Sequence, residues 1–124
     1  MIKGIGIDIV DNARMKKAVA RNSNIIQKIL TTSELAQLDV DINSNRFIES
    51  LSARFAAKEA FAKTLGLSLF SIGLHNIEVL KPFATDRPEI QGLTLLSAQK
   101  GYKFHLSISH SDNSAVAVVI CETF

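Results

Sequence analysis

The chain has 124 residues, of which 47% are hydrophobic and 21% charged, and its formal net charge is +2. This length and composition predict one domain over residues 1–124. They exclude a disordered chain and a membrane protein with spans of roughly 20 apolar residues. The net charge is too small to indicate a nucleic-acid binder by itself. Cys121 is the only cysteine and the amino terminus reads as a strand, not a secretory signal, so we expect a cytoplasmic protein without disulfides.

The first predicted element is a strand over residues 2–10. Ile5, Ile7 and Ile9 share one face of it, and Gly4, Gly6, Asp8 and Val10 share the other. The glycines beside Asp8 allow a bulky group to approach that face closely, although glycine in a strand also commonly marks a bulge. A carboxylate near the core needs a hydrogen-bond donor, a cation or a metal, and neighbouring backbone amides alone would satisfy it.

Residues 13–22 predict a helix with a basic face formed by Arg14, Lys17 and Arg21, which are spaced three and four residues apart. Such a face is either solvated surface or a docking site for an acidic partner. A short apolar segment follows at 25–30. Residues 31–34 then form a capping-box pattern that opens a helix to about Leu38. The next stretch, residues 39–45, is polar and indicates a loop.

A long helix predicted from about residue 47 to 65, ending at Gly66, carries unusual charges on an apolar face. Arg54 and Lys58 interrupt the apolar stripe, and Glu59 and Lys63 lie one turn apart just past its edge. In the plain interpretation, the first two extend their charges to water and the other two form a weak surface pair. In the functional interpretation, these charges serve a site.

The carboxyl-terminal half predicts mainly strands: residues 77–81, a short strand near 87–90, a short helix over 93–100, and a hairpin of strands at 104–110 and 114–121. His105, Ser107 and Ser109 share one face of the first hairpin strand. This polar stripe is suited to phosphate, or is simply the solvated side of an antiparallel sheet. Together the elements predict an α+β fold with a small antiparallel sheet packed around one long helix.

The side chains exclude several common chemistries. No nucleophilic triad, zinc cluster, Walker loop or dinucleotide-binding glycine turn stands out. Asp8 and Glu59 are the best pair of hard oxygen ligands, if the first strand lies beside the long helix. Two carboxylates with waters and a substrate phosphate are typical of Mg²⁺, and Lys63 would reach an adjacent phosphate oxygen.

Four segments resemble a known family, and one of them, residues 32–35 (Thr-Ser-Glu-Leu), is similar to its Thr-x-x-Glu-Leu region with a slight shift. Residues 4–10 (Gly-Ile-Gly-Ile-Asp-Ile-Val), with Arg14 six residues after Asp8, resemble the opening motif of bacterial holo-[acyl-carrier-protein] synthases, the short 4′-phosphopantetheinyl transferases. Residues 54–63 (Arg-Phe-Ala-Ala-Lys-Glu-Ala-Phe-Ala-Lys) closely resemble their second motif, and residues 105–110 are similar to their closing strand. The resemblance covers nearly the whole chain and implies a 4′-phosphopantetheinyl transferase-like fold.

What the resemblance implies is transfer of 4′-phosphopantetheine from coenzyme A to a serine of an acidic apo acyl carrier protein, in support of fatty acid biosynthesis. It implies that Asp8 and Glu59 hold Mg²⁺ at the coenzyme A pyrophosphate and that Lys63 binds phosphate, so these three residues would form the catalytic set. Glu59 or a water on the metal would deprotonate the attacking serine.

The resemblance also assigns binding surfaces. Arg54, with Arg46 and His105, would lie near the 3′-phosphate of coenzyme A, where a guanidinium can pair bidentately. The basic face of the first helix would meet the carrier protein. Members of this family form homotrimers with sites shared between neighbouring subunits, which would direct the cations of the long helix into an interface cleft instead of the core.

Two segments depart from the family pattern. Ser50-Leu51-Ser52-Ala53 replaces the usual Phe-Leu-Ala-Gly, and Gly66-Leu67-Ser68 replaces Gly-Thr-Gly. In the second segment, the loss of a glycine removes easy access to positive φ near the pantetheine arm. We expect this loss to affect coenzyme A affinity or acyl-chain tolerance. The alternatives to a transferase are a coenzyme A or nucleotide-binding module without turnover, and a trimeric structural protein whose charged helix sets the subunit register.

Overall fold

The computed structural model describes residues 1–38, 41–82, 87–92 and 101–124. In chain order the elements are β1 (Ile2–Asp11), α1 (Asn12–Arg21), α2 (Asn24–Ile29), α3 (Thr32–Ala36), α4 (Asn45–Thr64), α5 (Leu69–Ile72), a 3-10 turn (Leu74–Asn76), β2 (Ile77–Leu80), β3 (Glu89–Gly92), β4 (Tyr102–His110) and β5 (Ser114–Thr123). The helix predicted over 93–100 lies outside the described residues. The other predicted elements are present. Three observed elements were not predicted as helices: α2, where the sequence indicated only an apolar segment, α5 and the 3-10 turn.

Two antiparallel sheets form the β part of the molecule. The larger has the strand order β1-β5-β4, and the smaller pairs β2 with β3. The long helix α4 packs against the inner face of the larger sheet, mainly on β1 and β5. This arrangement confirms the predicted α+β class, with a small antiparallel sheet around one long helix.

Close contact between β1 and α4 depends on the two glycines of the strand. A Cβ atom at Gly6 would lie 1.9 Å from the carbonyl oxygen of Ala60, and one at Gly4 would lie 2.1 Å from that of Thr64. Neither position therefore accepts a larger residue without moving the helix. The group that approaches the glycine face is α4 itself, and a register shift between Ile2 and Gly4 also gives β1 a bulge.

One predicted helix start and one predicted helix end are confirmed. Thr31 and Glu34 form the predicted capping box, although α3 ends at Ala36 and not near Leu38. At the end of α4, Gly66 has a φ of +67°, as expected for a helix stop. These local signals fix where the helices begin and end, and hence which side chains face the sheet.

The buried side chains form two clusters. One lies between α4 and the larger sheet, where the rings of Phe61 and Phe104 are 4.2 Å apart. The other joins α1, α2 and the first half of α4 through Met15, Val19, Ile29 and Leu51, among others. Val10 packs against both clusters, so the end of β1 is held where α1, α2 and α4 meet.

The outer face of the larger sheet is apolar but uncovered in the single chain. Ile5, Ile7 and Ile9 are 61%, 57% and 65% exposed, and each is paired with a partly buried residue of β5. The β4 residues His105, Ser107 and Ser109 complete this face as its polar edge. Of the two faces of β1, it is therefore the glycine face that enters the core. Among the described helices, none is long and apolar enough to cross a membrane.

Candidate active site

The carboxylate cleft is a cavity of about 670 Å³ where the end of β1 meets α1, α2 and α4. Asp8 projects from the inner face of β1, beyond the glycines, and Glu59 and Lys63 come from successive turns of α4. The sheet–helix contact set by Gly6 brings the two elements close enough for all three side chains to line one cavity. The structure therefore brings together the three residues that the sequence placed in a catalytic set.

Lys63 already contacts Asp8. Its ammonium Nζ lies 3.3 Å from Asp8 Oδ1 and donates to the carbonyl of Ile7 at 2.8 Å. The lysine side chain is half-exposed and the Asp8 side chain is only 21% exposed. The ion pair that the structure gives Lys63 is with Asp8, and not with Glu59 as the plain interpretation of the helix had it.

Glu59 is held in unfavourable surroundings for a carboxylate. Partial burial raises its pKa, the neighbouring Asp8 carboxylate raises it further, and Lys63 opposes both effects. Three carboxylates and three cations line this cavity, namely Asp8, Asp11, Glu59, Arg14, Lys28 and Lys63. The unfavourable charge is therefore local to the neighbouring carboxylates Asp8 and Glu59. Among the described residues no group of three or more His, Cys, Asp and Glu side chains is placed to hold a metal ion. A cation at Asp8 and Glu59 would need further ligands from water or substrate.

The basic face of α1 borders the carboxylate cleft at one end. Arg14 lines the cleft, whereas Lys17 and Arg21 are exposed further along the helix. Asp11 fixes the start of α1, because its Oδ1 accepts from the backbone amides of Ala13 and Arg14 at 2.8 and 3.2 Å. The cationic surface thus begins at the cavity and leads away from it.

An apolar branch of about 630 Å³ opens from the same cavity and shares Phe55, Glu59, Lys63 and Leu74 with it. The departure from the family pattern lies here, with Leu67 and the fully exposed Phe70 in its lining. Ser68 begins α5, since its Oγ accepts from the amide of Ser71 at 3.1 Å. Leu67 and Ser68 thus stand where the family pattern has threonine and glycine, and Gly66 is retained.

A second, cationic cleft of about 410 Å³ lies beside the smaller sheet and is lined in part by Arg46, Arg54, Lys81 and His110. Arg46 is exposed, and Arg54 is 7% exposed with its Nε donating to the carbonyl of Val79 at 3.3 Å. Burial lowers the pKa of Arg54, and nearby Glu34 opposes this shift. The structure therefore places Arg46 and Arg54 together, as the resemblance implied.

His105 does not share this cleft within one chain. It lies on the outer face of the larger sheet, with its Nε2 3.9 Å from Glu122 Oε2. His110, five residues later, is the histidine that lines the cationic cleft. Sequence reasoning missed His110 as a site residue, although strand alternation already placed it on the opposite face from His105.

Lys58 corrects both sequence interpretations of the cations on α4. Its side chain is fully buried, and its Nζ donates to the carbonyls of Ile29 and Leu74 at 2.6 and 3.0 Å and to Glu34 Oε1 at 2.6 Å. Burial lowers its pKa, and Glu34 opposes this shift. Lys58 therefore neither reaches water nor points into an interface cleft, because its three donors are used inside the chain.

Comparisons with known proteins agree with this fold. The sequence profile of the 4′-phosphopantetheinyl transferase superfamily matches residues 4–121. The holo-[acyl-carrier-protein] synthases of Oceanobacillus iheyensis and Enterococcus faecalis are 38% and 39% identical, over 99% of this chain and 98% and 99% of theirs.

Two solved structures of holo-[acyl-carrier-protein] synthases are also similar. That of Bacillus anthracis, in complex with coenzyme A (3′,5′-ADP), has a TM-score of 0.82 at 34% identity, covering 100% of this chain and 99% of that one. That of Neisseria meningitidis has a TM-score of 0.85 at 30% identity, covering 99% and 100%. The chain belongs to the 4′-phosphopantetheinyl transferase superfamily and, within it, to the holo-[acyl-carrier-protein] synthases.

Proposed function

We propose that this protein transfers 4′-phosphopantetheine from coenzyme A to a serine of an apo acyl carrier protein, leaving adenosine 3′,5′-bisphosphate. The observation that carries this proposal is the meeting of Asp8, Glu59 and Lys63 in one cavity, with Arg14 at its edge. The relatives named as synthases and the neighbour bound to coenzyme A support the same reaction. Residues 1–124 would form one catalytic domain, active in the cytoplasm and in support of fatty acid biosynthesis.

The residues of the carboxylate cleft fit a divalent cation such as Mg²⁺. Asp8 and Glu59 offer hard oxygen donors, and burial together with the Asp8 carboxylate raises the pKa of Glu59, so a cation between them would stabilise the ionised form. When bound, Mg²⁺ would supply Lewis-acid stabilisation of charge on the pyrophosphate. Because Lys63 lies beside Asp8, its ammonium could contact the same pyrophosphate that the metal ion would bind.

Proton removal from the carrier serine is the remaining chemical step. A raised pKa makes the Glu59 carboxylate a stronger base than an ordinary glutamate, provided that it is ionised at the working pH. Glu59 shares its cavity with Arg14, where the surface proposed for the carrier protein begins, and this supports a role between the two substrates. Glu59 is therefore our candidate for the base, in addition to its role as a cation ligand.

The two substrates would use different surfaces. Arg46 and Arg54 in the cationic cleft are suited to the 3′-phosphate of coenzyme A, and His110 supplies a further donor there. His105 can reach a phosphate only from the outer face of the sheet, where a neighbouring subunit would have to supply the rest of the site. Arg14, Lys17 and Arg21 form an exposed cationic surface for an acidic carrier protein.

The uncovered outer face of the larger sheet supports the proposed homotrimer. Ile5, Ile7 and Ile9, all more than half exposed, form an apolar stripe next to Val116, Val118 and Ile120 of β5. A contiguous apolar surface of this kind indicates a protein interface. Light scattering should give a mass of three chains, and replacement of Ile7 by Glu should yield smaller species. A wild-type protein that remains a monomer at micromolar concentration would contradict the trimer.

The decisive experiment for the proposed function is a transfer assay. The protein is mixed with apo acyl carrier protein, Mg²⁺ and coenzyme A, and the carrier is examined by intact-mass spectrometry for an added phosphopantetheine arm. Omission of the metal is the control. Coenzyme A binding without any addition, across several carriers, would favour a binding module without turnover. The two carboxylates beside Lys63, Asp8 and Glu59, argue against that module, because a site that only binds anions gains nothing from them.

A further inference from the structure

Lys58 belongs to the motif of α4 but takes no part in the proposed reaction. Its ammonium donates to Glu34 Oε1 and to the carbonyls of Ile29 and Leu74, at distances of 2.6 to 3.0 Å. An ammonium has three N–H donors, so these contacts use all of them. No donor remains for a phosphate or a carrier protein, and the side chain has no exposed surface.

The two carbonyls that Lys58 holds belong to the wall of the carboxylate cleft. Ile29 and Leu74 both line that cleft, and Leu74 also lines its apolar branch. They come from α2 and the 3-10 turn, which have only six and three residues. Elements this short have little stability of their own and depend on contacts with the rest of the fold. Lys58 connects both of them to α4, one residue before Glu59.

Glu34 extends the connection to the smaller sheet. Its Oε1 accepts from Lys58 and from the amide of Thr31 at 2.9 Å, and its Oε2 accepts from the amide of Val79 at 3.0 Å. Glu34 is itself fully buried. Every charged atom of the pair is therefore satisfied, as a buried pair requires if it is to order its surroundings.

We propose that the buried pair of Lys58 and Glu34 positions the wall of the carboxylate cleft that meets the carrier protein, by fixing α2 and the 3-10 turn to α4. This role rests on the proposed function. Arg14 and the basic face of α1 border the same cavity, so the held wall faces the substrate that approaches along α1. Of the groups proposed for coenzyme A, Arg46 and Arg54 lie in the other cleft. Those proposed for its pyrophosphate, Asp8, Glu59 and Lys63, lie in this cleft but belong to β1 and α4 and not to the held wall. The pair is a positioning device and touches neither substrate.

The test compares Glu34→Gln with wild type in the transfer assay. A glutamine amide offers one acceptor oxygen where the carboxylate offers two, so it cannot hold Lys58 and the Val79 amide at once. We expect the KM for apo carrier protein to rise about tenfold, because a misplaced wall disturbs docking, while the KM for coenzyme A changes less than about twofold. Amide hydrogen exchange should accelerate in residues 25–29 and 74–76 and stay unchanged in residues 13–21.

Ser52→Ala is the matched control, because Ser52 is buried on the same helix and lies outside this pair. If Glu34→Gln does not fold, the double variant Glu34→Gln with Lys58→Met removes both buried charges and takes its place. Unchanged exchange in both wall segments, or a proportional loss in all kinetic constants, would overturn the proposal. Wild type that transfers nothing would instead refute the proposed function, and hydrogen exchange alone would then decide the positioning role.

Discussion

Two adjacent charges on α4, Lys58 and Glu59, have opposite surroundings. Lys58 is fully buried and each of its donors has an acceptor within the chain. Glu59 lies in an open cleft, where burial and Asp8 raise its pKa and Lys63 opposes that shift. A charged side chain whose partners all belong to the chain helps to order the fold. A charged side chain beside a like charge instead marks a site for a ligand or metal ion.

Replacing Glu59 by Gln should give the largest functional effect. It removes a proposed cation ligand and the candidate base together, so we expect transfer to fall by about 10³-fold or more. The fold should not suffer, because the lost charge is one that burial and Asp8 disfavour. Intact-mass rates and denaturant unfolding measure the two effects.

The control for that variant is Glu89→Gln, at an exposed carboxylate on β3 outside both the carboxylate and cationic clefts. It should leave transfer unchanged. If Glu59→Gln kept most of its activity, Glu59 would not be a cation ligand. The contrast between a structural Lys58 and a functional Glu59 would then be wrong.

Replacing Lys58 by Met should have the reverse pattern, with stability as the main loss. It would leave Glu34 buried without its cation and the carbonyls of Ile29 and Leu74 without a donor. Breaking a buried ion pair on one side typically costs about 3–5 kcal/mol. Chemical denaturation measures this cost, and a loss below about 1 kcal/mol would show that water replaces the ammonium.

The sequence predicted the elements of this contrast but not its outcome. Helical spacing put Lys58 in the apolar stripe and Glu59 at its edge, and the strand pattern put Asp8 beside the glycines. It could not place the acceptors of Lys58, since Ile29, Glu34 and Leu74 are 29, 24 and 16 residues away in the chain. Long-range hydrogen bonds leave no periodic pattern in the sequence. A lysine whose acceptors all lie within the chain therefore cannot be distinguished by sequence from a lysine that binds a ligand.

The cationic cleft offers a matched pair of histidines that extends the comparison. His110 lines this cleft beside Arg46 and Arg54, whereas His105 lies on the outer face of the sheet. We expect His110→Ala to raise the KM for coenzyme A about tenfold, as loss of a hydrogen bond to a charged phosphate would. In a monomeric site His105→Ala should have no effect. A comparable rise for His105→Ala would show that a neighbouring subunit brings His105 to the phosphate.

The pH dependence of cation binding should report the surroundings of Glu59 directly. Because its pKa in the folded protein lies above the ordinary 4.5, Mg²⁺ affinity should fall as the pH drops through that raised pKa. Without metal, the contribution of Glu59 to the free energy of unfolding has the opposite pH dependence and falls as the pH rises. The folded state holds the proton more tightly than the unfolded state, so the contribution of Glu59 is present below pH 4.5 and is lost as the pH rises. Relative to Glu59→Gln, the metal-free wild type should therefore become less stable from pH 4 to pH 7.

The smallest expected effect comes from Ser52, which shows the opposite fault to Glu59 on the same helix. Its hydroxyl is fully buried and has no hydrogen-bond partner among the residues that the structure describes, at a position where the family usually has alanine. An unpaired buried hydroxyl lowers stability, and alanine is also the better helix former. Ser52→Ala should therefore raise the free energy of unfolding by about 1 kcal/mol and leave transfer unchanged. A loss of stability would mean that the hydroxyl has a partner, such as a bound water. In that case, the lack of a hydrogen-bond partner within the chain would not distinguish the polar groups of α4 that have no function from those that bind a ligand.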